Sequence, residues 1–115
     1  MGKIMNIQIY GAKGFETQKA ERYFKDRKIN YQYIDLYKYG FSKGEFDSVK
    51  AAVGMKDLIN VNCKDYERLN MRNLGVGKVA EEVLFKNPKL FNSPIVRNGR
   101  KATVGYQPDI WSNWE

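Results

Sequence analysis

The segment "IYGAKGFETQKAERYFK" (residues 9–25) decides the fold, because a β-like run passes through a glycine-containing turn into a helical pattern. Residues 4–11 alternate and are rich in β-branched side chains, which predicts a first strand. Residues 16–28 place Ala20 and Phe24 at helical spacing, which predicts an amphipathic helix. The turn between the two elements holds no cysteine, histidine or serine. It therefore sits where many small α/β proteins place their chemistry, without an obvious nucleophile.

The remaining elements extend this β-α start into a mixed sheet. Residues 29–37 are aromatic and β-branched, which predicts a second strand parallel to the first. Ser42 and Glu45 form a capping box, and Gly54 ends the helix that it starts. Later segments predict short helices at 55–62 and 64–75, a helix at 77–86, a β-hairpin at 93–106 with a type I′ turn at Asn98-Gly99, and a terminal helix at 108–114.

Length and composition indicate a single globular domain over residues 1–115. Of the 115 residues, 43% are hydrophobic, which is enough for a packed core. No apolar run approaches the roughly 20 residues that span a membrane. The N-terminus lacks the apolar stretch of a signal peptide, so we expect a cytoplasmic location and no membrane partner.

Two counts exclude whole classes of chemistry. The chain has 0 histidines, which removes Ser-His-Asp and Cys-His catalysis and nearly all catalytic zinc sites, so no metal and no cofactor are expected. Cys63 is the one cysteine, which excludes an intramolecular disulfide and a CxxC redox pair. The net charge of +7 is scattered along the chain, and a solvated basic surface explains it better than a nucleic-acid site.

The order of elements, with Ser93-Pro94 just before the hairpin, resembles the arsenate reductase ArsC/Spx family. The quoted turn, the segment "LINVNCKDYERL" (residues 58–69) and above all "NPKLFNSPIV" (residues 87–96) carry the resemblance. It implies a thioredoxin-like three-layer fold formed by residues 1–40 and 86–115, with a helical insertion at 41–85. It also implies that Pro94 follows a cis peptide bond.

The chain departs from that family where the chemistry would be. In active members a cysteine at the start of the first helix attacks the substrate and arginines hold the oxyanion. Here Gly14 or Phe15 occupies the cysteine position, while Thr17 keeps the helix start. Asn60, Ser93, and Tyr106 with Gln107 stand where the resemblance places the arginines. These joint losses predict that no catalytic residue remains and that the active-site positions are degenerate.

Other side chains leave alternatives open. Cys63 is either a partly buried small residue or a reactive thiol that works with glutathione or a partner thiol. Phe15 either packs against the Pro94 loop or is exposed as a partner contact, and we favour packing. Tyr31 and Tyr33 share one face of the second strand, so we expect both to pack against a helix.

Three classes of function follow. The first is a noncatalytic binding or regulatory protein; the resemblance to Spx-type members, which regulate transcription by binding RNA polymerase, suggests such a partner. The second is a glutathione-dependent oxidoreductase that uses Cys63. The third is direct nucleic-acid binding through a basic face.

Overall fold

A mixed four-stranded sheet forms the centre of the computed structural model, which describes residues 6–114. The strands are β1 (Ile7–Gly11), β2 (Tyr31–Asp35), β3 (Ile95–Asn98) and β4 (Lys101–Val104), in the order β2-β1-β3-β4. β1 pairs in parallel with β2 and antiparallel with β3, and β3 pairs antiparallel with β4. The predicted β-α-β unit and late hairpin are confirmed. The part of the first predicted strand at residues 4 and 5 lies outside the described residues.

Helices fill the connections. α1 (Phe15–Asp26) joins the two parallel strands. Between β2 and β3 lie six helices and one 3₁₀ turn: α2 (Leu36–Tyr39), α3 (Lys43–Val53), α4 (Met55–Leu58), α5 (Lys64–Arg68), α6 (Met71–Leu74), α7 (Lys78–Lys86) and the 3₁₀ turn (Pro88–Leu90). α8 (Pro108–Ser112) follows β4. The helical segment thus falls where the sequence predicts it, although its exact limits as an insertion remain a prediction.

Each face of the sheet packs on its own hydrophobic cluster. On one face, Ile7 and Ile9 of β1 contact α1 and α8 through Phe24, Trp111 and Trp114. On the other face, a larger cluster joins the strands to the helices between β2 and β3; its strand and helix members include Tyr10, Ile95, Leu36, Phe46, Leu58 and Leu84. Alternation along β1 sends successive side chains to opposite clusters. The result is a helix–sheet–helix arrangement in which both tryptophans contribute to the core.

Local hydrogen bonds fix the ends of the elements. The hydroxyl of Ser42 accepts from the Glu45 N–H, and the Glu45 carboxylate accepts from the Ser42 N–H, so the predicted capping box is present. The second strand stops two residues earlier than predicted. There the Asp35 carboxylate accepts from the Lys38 N–H and starts α2, because an N-cap of this kind favours a helical turn over a further strand residue.

The hairpin turn is displaced by one residue from the prediction. Asn98 pairs with Lys101, so the two turn residues are Gly99 and Arg100 rather than Asn98 and Gly99. Gly99 has φ +61°, whereas neither Asn98 nor Arg100 has a positive φ. A positive φ at the first turn residue alone is the pattern of a type II′ turn, which needs glycine at that position.

Candidate functional site

The turn between β1 and α1 is tightly packed. A Cβ atom on Gly11 would lie 2.6 Å from Cγ2 of Thr17, so only glycine fits at the end of the strand. Thr17 is buried, and its side chain fills the space above Gly11. Gly14 is the N-cap of α1, where no side chain caps the free N–H groups. Thr17 therefore has a packing role at the position where the sequence suggested a remnant of a site.

Phe15 begins α1 and projects into solvent. Its side chain is 73% exposed, so the expectation that it packs against the Pro94 loop is wrong. The residue stands on the first turn of a helix whose buried face consists of Thr17, Ala20, Tyr23 and Phe24, and Phe15 is not part of that face. Lys19, one turn further on, places its Nζ 4.7 Å from the centre of the Phe15 ring.

Glu16, rather than Phe15, lies towards the Pro94 loop. A Cβ atom on Gly105 would lie 3.5 Å from Oε2 of Glu16, and the Gly105 N–H donates to the Pro94 carbonyl at 2.8 Å. Pro94 is buried behind a cis peptide bond with half-buried Ser93, as the resemblance implies. A carboxylate therefore stands close to the backbone segment that hydrogen bonds to Pro94.

Asn60 and Cys63 form part of a separate turn. The Asn60 N–H donates to the Leu90 carbonyl at 2.7 Å, and its side-chain oxygen accepts from the Asn62 N–H at 3.0 Å. Cys63 is the N-cap of α5, and its thiol donates to the Asn60 carbonyl at 3.2 Å. It is partly buried, as expected, against the cluster on the face of the sheet opposite α1.

A groove of about 630 Å³ adjoins the three positions that the resemblance assigns to arginines. It includes Gln107 itself and the neighbours of Asn60 and Ser93, and its walls are mostly apolar: Val53, Ile59, Val61, Ala102, Val104 and Ile110. Lys56 and Asp57 are its charged residues, and they balance each other. The Gln107 amide donates to the Val104 carbonyl at 3.1 Å, so it braces the end of β4. A groove of this kind suits an apolar ligand better than an oxyanion.

A partly buried polar pair links β1 to α3. The Tyr10 hydroxyl donates to the Glu45 carboxylate at 2.5 Å, which ties the end of β1 to the start of α3. Burial and this hydrogen bond raise the pKa of Tyr10 to about 12, although nearby Arg97 opposes the shift. Burial would raise the pKa of Glu45, but the hydrogen bonds from Tyr10 and Ser42 outweigh it, and that pKa is lowered. The pair fixes the scaffold behind the turn.

Lys19 and Tyr106 complete the surface at the start of α1 through a contact that the sequence analysis did not predict. Lys19 Nζ lies 5.5 Å from the centre of the Tyr106 ring as well as close to Phe15, so its cation is between two aromatic rings. Tyr106 is 87 positions away along the chain, and no local spacing could reveal the contact. The expectation that Tyr31 and Tyr33 of β2 both pack against a helix is met only by Tyr31, which packs and donates to Glu21. Tyr33 is 40% exposed, because β2 is an edge strand.

Neither a metal centre nor a membrane span is found in the described part of the chain. Among residues 6–114, the cysteine and carboxylate side chains form no group of three that could hold a metal ion. The described helices are also too short or too polar to cross a bilayer.

Comparison of the sequence with known proteins identifies related chains. A sequence model of the ArsC family matches residues 13–114. The global transcriptional regulator Spx 2 of Oceanobacillus iheyensis is 28% identical over 109 residues, which cover 91% of this chain and 80% of the regulator.

Solved structures show the same fold. The arsenate reductase from Vibrio cholerae superposes with a TM-score of 0.83 at 20% identity, covering 96% of this chain and 98% of the reductase. An ArsC family related protein from Bacteroides fragilis gives 0.79 at 20% identity, covering 98% and 100%. The fold is thus the thioredoxin-like one that the sequence predicts, and the match over most of its length shows that this chain belongs to the ArsC family.

Proposed function

We propose that this chain is a noncatalytic member of its family that acts by binding a protein partner. One observation carries the proposal: the start of α1 consists of Gly14 as the N-cap, an exposed Phe15 and Glu16. A reductase of this family needs a nucleophile and an oxyanion site there. The role of these residues as degenerate active-site positions comes from the resemblance, and the geometry supports it.

The chemistry of reduction would fail at each step. A thiol attacks as the thiolate, and a helix N-terminus stabilises that form. Neither glycine nor phenylalanine can supply the sulfur, and the Glu16 carboxylate beside Gly105 would repel both a thiolate and an arsenate oxyanion. Asn60 is engaged within its own turn, and Ser93 carries no charge, so neither replaces an arginine clamp.

The regulator relative suggests the kind of partner. Its name describes a global transcriptional regulator, and this chain is similar to it over most of its length. We propose a regulatory role of the same kind, with RNA polymerase as the first partner to test. Such a partner would place the chain in the cytoplasm.

The proposal is tested by two measurements on the full chain. In the first, arsenate reduction with glutathione and glutaredoxin is measured for the wild type and for Cys63→Ser. We expect no turnover above background in either protein. Turnover that is lost in Cys63→Ser would instead support the oxidoreductase alternative, and turnover in both would contradict the assignment of the degenerate site.

In the second measurement, purified RNA polymerase and cell lysate are passed over immobilised protein. We expect retention of a protein partner by the wild type. Phe15→Ala should reduce this retention, and Val79→Ala serves as its matched control, because Val79 is also an exposed apolar residue but lies on α7. Recovery of only nucleic acid, removable by nuclease and by salt, would favour the basic-face alternative instead.

A further inference from the structure

The surface at the start of α1 combines aromatic rings with cations. We define the α1–Tyr106 face by Phe15, Lys19 and Arg22 of α1 together with Tyr106. The three helical residues are four and three positions apart, which places them along one side of the helix. Shallow cavities of about 600 and 370 Å³ lie on the two sides of this row, and Lys19 and Arg22 line both.

The face is held in place from within the core. The Tyr106 ring packs edge-to-face on Trp111, with ring centres 5.7 Å apart. Trp111 is fully buried, and its Nε1–H donates to the Thr103 hydroxyl at 2.8 Å. Phe15 is the first residue of α1, and the Lys19 cation lies between the two exposed rings. Because the Tyr106 ring already packs on Trp111, ordering it on binding would cost little conformational entropy.

The cations of the face have no acidic partner in the described structure. Among residues 6–114, no ion pair includes Lys19 or Arg22. Three carboxylates of the same helix lie near these cations without pairing with them: Glu16 stands against Gly105, Glu21 accepts the Tyr31 hydroxyl at 3.1 Å, and Asp26 lines both cavities beside Arg22. Two unpaired cations beside two exposed rings form a complement for carboxylates flanking an apolar side chain.

We propose that the α1–Tyr106 face docks an acidic segment of a protein partner. In this arrangement an apolar anchor of the segment covers Phe15, and its carboxylates contact Lys19 and Arg22. The inference rests on the proposed function as a binding protein and names the chemistry of the partner. Charge selects this occupant over a second copy, because each copy carries a net charge of +7.

Charge also selects a protein segment over nucleic acid. Glu16, Glu21 and Asp26 interrupt the cations of α1, so a phosphate chain that followed the helix would meet a carboxylate on every turn. A protein segment with a few acidic residues can match two cations without such repulsion. It also supplies the apolar anchor for which an exposed phenylalanine is suited.

The test is a titration of the full chain with a short synthetic peptide in which a leucine–phenylalanine pair is flanked by aspartate and glutamate. Backbone amide shifts are recorded by ¹⁵N NMR, and affinity is measured by fluorescence anisotropy of the labelled peptide. We expect the largest shifts at residues 15–22 and at Tyr106. Lys19→Glu and Phe15→Ala should each weaken binding by at least about tenfold.

Matched controls separate this face from general charge. Lys64→Glu makes the same charge change on α5 and should leave the affinity within about twofold. A peptide with the leucine–phenylalanine pair replaced by serines should bind at least about tenfold more weakly. The proposal would be overturned if Lys19→Glu and Lys64→Glu lost the same peptide affinity, or if the amide shifts were confined to other surfaces. It would also be overturned if the peptide did not bind, or if a short oligothymidine displaced it completely.

Failure here is distinguishable from failure of the proposed function. If a natural protein partner is retained equally by the wild type, Phe15→Ala and Lys19→Glu, the chain is a binding protein but docks through another surface. If arsenate is reduced, the proposed function itself fails, whatever the peptide does.

Discussion

Phe15→Ala separates a binding role of this side chain from a packing role. A fully buried phenylalanine buries about 200 Å² of surface. Because Phe15 is 73% exposed, it buries only about a quarter of that area, and truncation to alanine loses no more than this quarter. About 50 Å² at 25 cal/mol per Å² corresponds to about 1.3 kcal/mol. The contact with Lys19 adds about 0.5 kcal/mol, and the better helix propensity of alanine returns a similar amount. We therefore expect a loss of about 1 kcal/mol of unfolding free energy.

Phe24→Ala on the same helix provides the contrast, because Phe24 is fully buried and packs 5.1 Å from the Trp111 ring. Its expected cost is about 3–5 kcal/mol. Urea unfolding followed by tryptophan fluorescence measures both variants, since Trp111 and Trp114 lie in the core. A loss above about 2 kcal/mol for Phe15→Ala would refute the reasoning, because it would show that the ring is packed in solution.

Three further substitutions test the scaffold. Trp111→Phe removes the hydrogen bond to Thr103 and should cost about 2 kcal/mol or more in urea unfolding, whereas an unchanged midpoint would contradict that bond. Cys63→Ser places a better N-cap residue at the start of α5, so thermal unfolding should show equal or higher stability; a marked loss would mean that the thiol is needed for packing. Burial and Glu45 raise the pKa of Tyr10 to about 12, so its neutral form stabilises the fold up to about pH 10, and that contribution is lost as the pH rises further. Tyr10→Phe should therefore reduce the fall of the unfolding free energy above about pH 10. The same fall in the variant and the wild type would refute this reasoning.

Local sequence signals predicted the elements well where each signal has a local cause. The alternation before Gly11 and the Ser42–Glu45 capping box each depend on residues within one or two turns, and both are present as predicted. The errors arise where two local signals compete. Residues 36 and 37 continue the aromatic, β-branched pattern, but the Asp35 side chain captures the Lys38 N–H and begins a helical turn.

The features of the candidate site were much less predictable, because they depend on contacts between distant parts of the chain. The Tyr10–Glu45 hydrogen bond spans 35 positions, and Lys19 meets Tyr106 only after the sheet has brought α1 and the end of β4 together. The exposure of Phe15 follows from the rotation of α1 about its axis, which its four buried residues set. No spacing within residues 9–25 distinguishes an outward from an inward phenylalanine at the first position of a helix.

On the proposed noncatalytic function, Glu16 gives a reason why introducing a nucleophile alone would not create a reductase. An acidic residue on the first turn of a helix interacts favourably with the helix dipole, so this carboxylate occupies the electrostatic position that a thiolate or an oxyanion would need. A cysteine introduced at Gly14 or Phe15 would have that negative charge beside it, which raises a thiol pKa instead of lowering it. An oxyanion in the turn between β1 and α1 would meet the same charge, and Asn60 and Gln107 could not offset it, since both are neutral and already hydrogen bonded within their own segments. The cations of α1 lie one and two turns further along the helix, at Lys19 and Arg22, where the proposed partner segment would contact them.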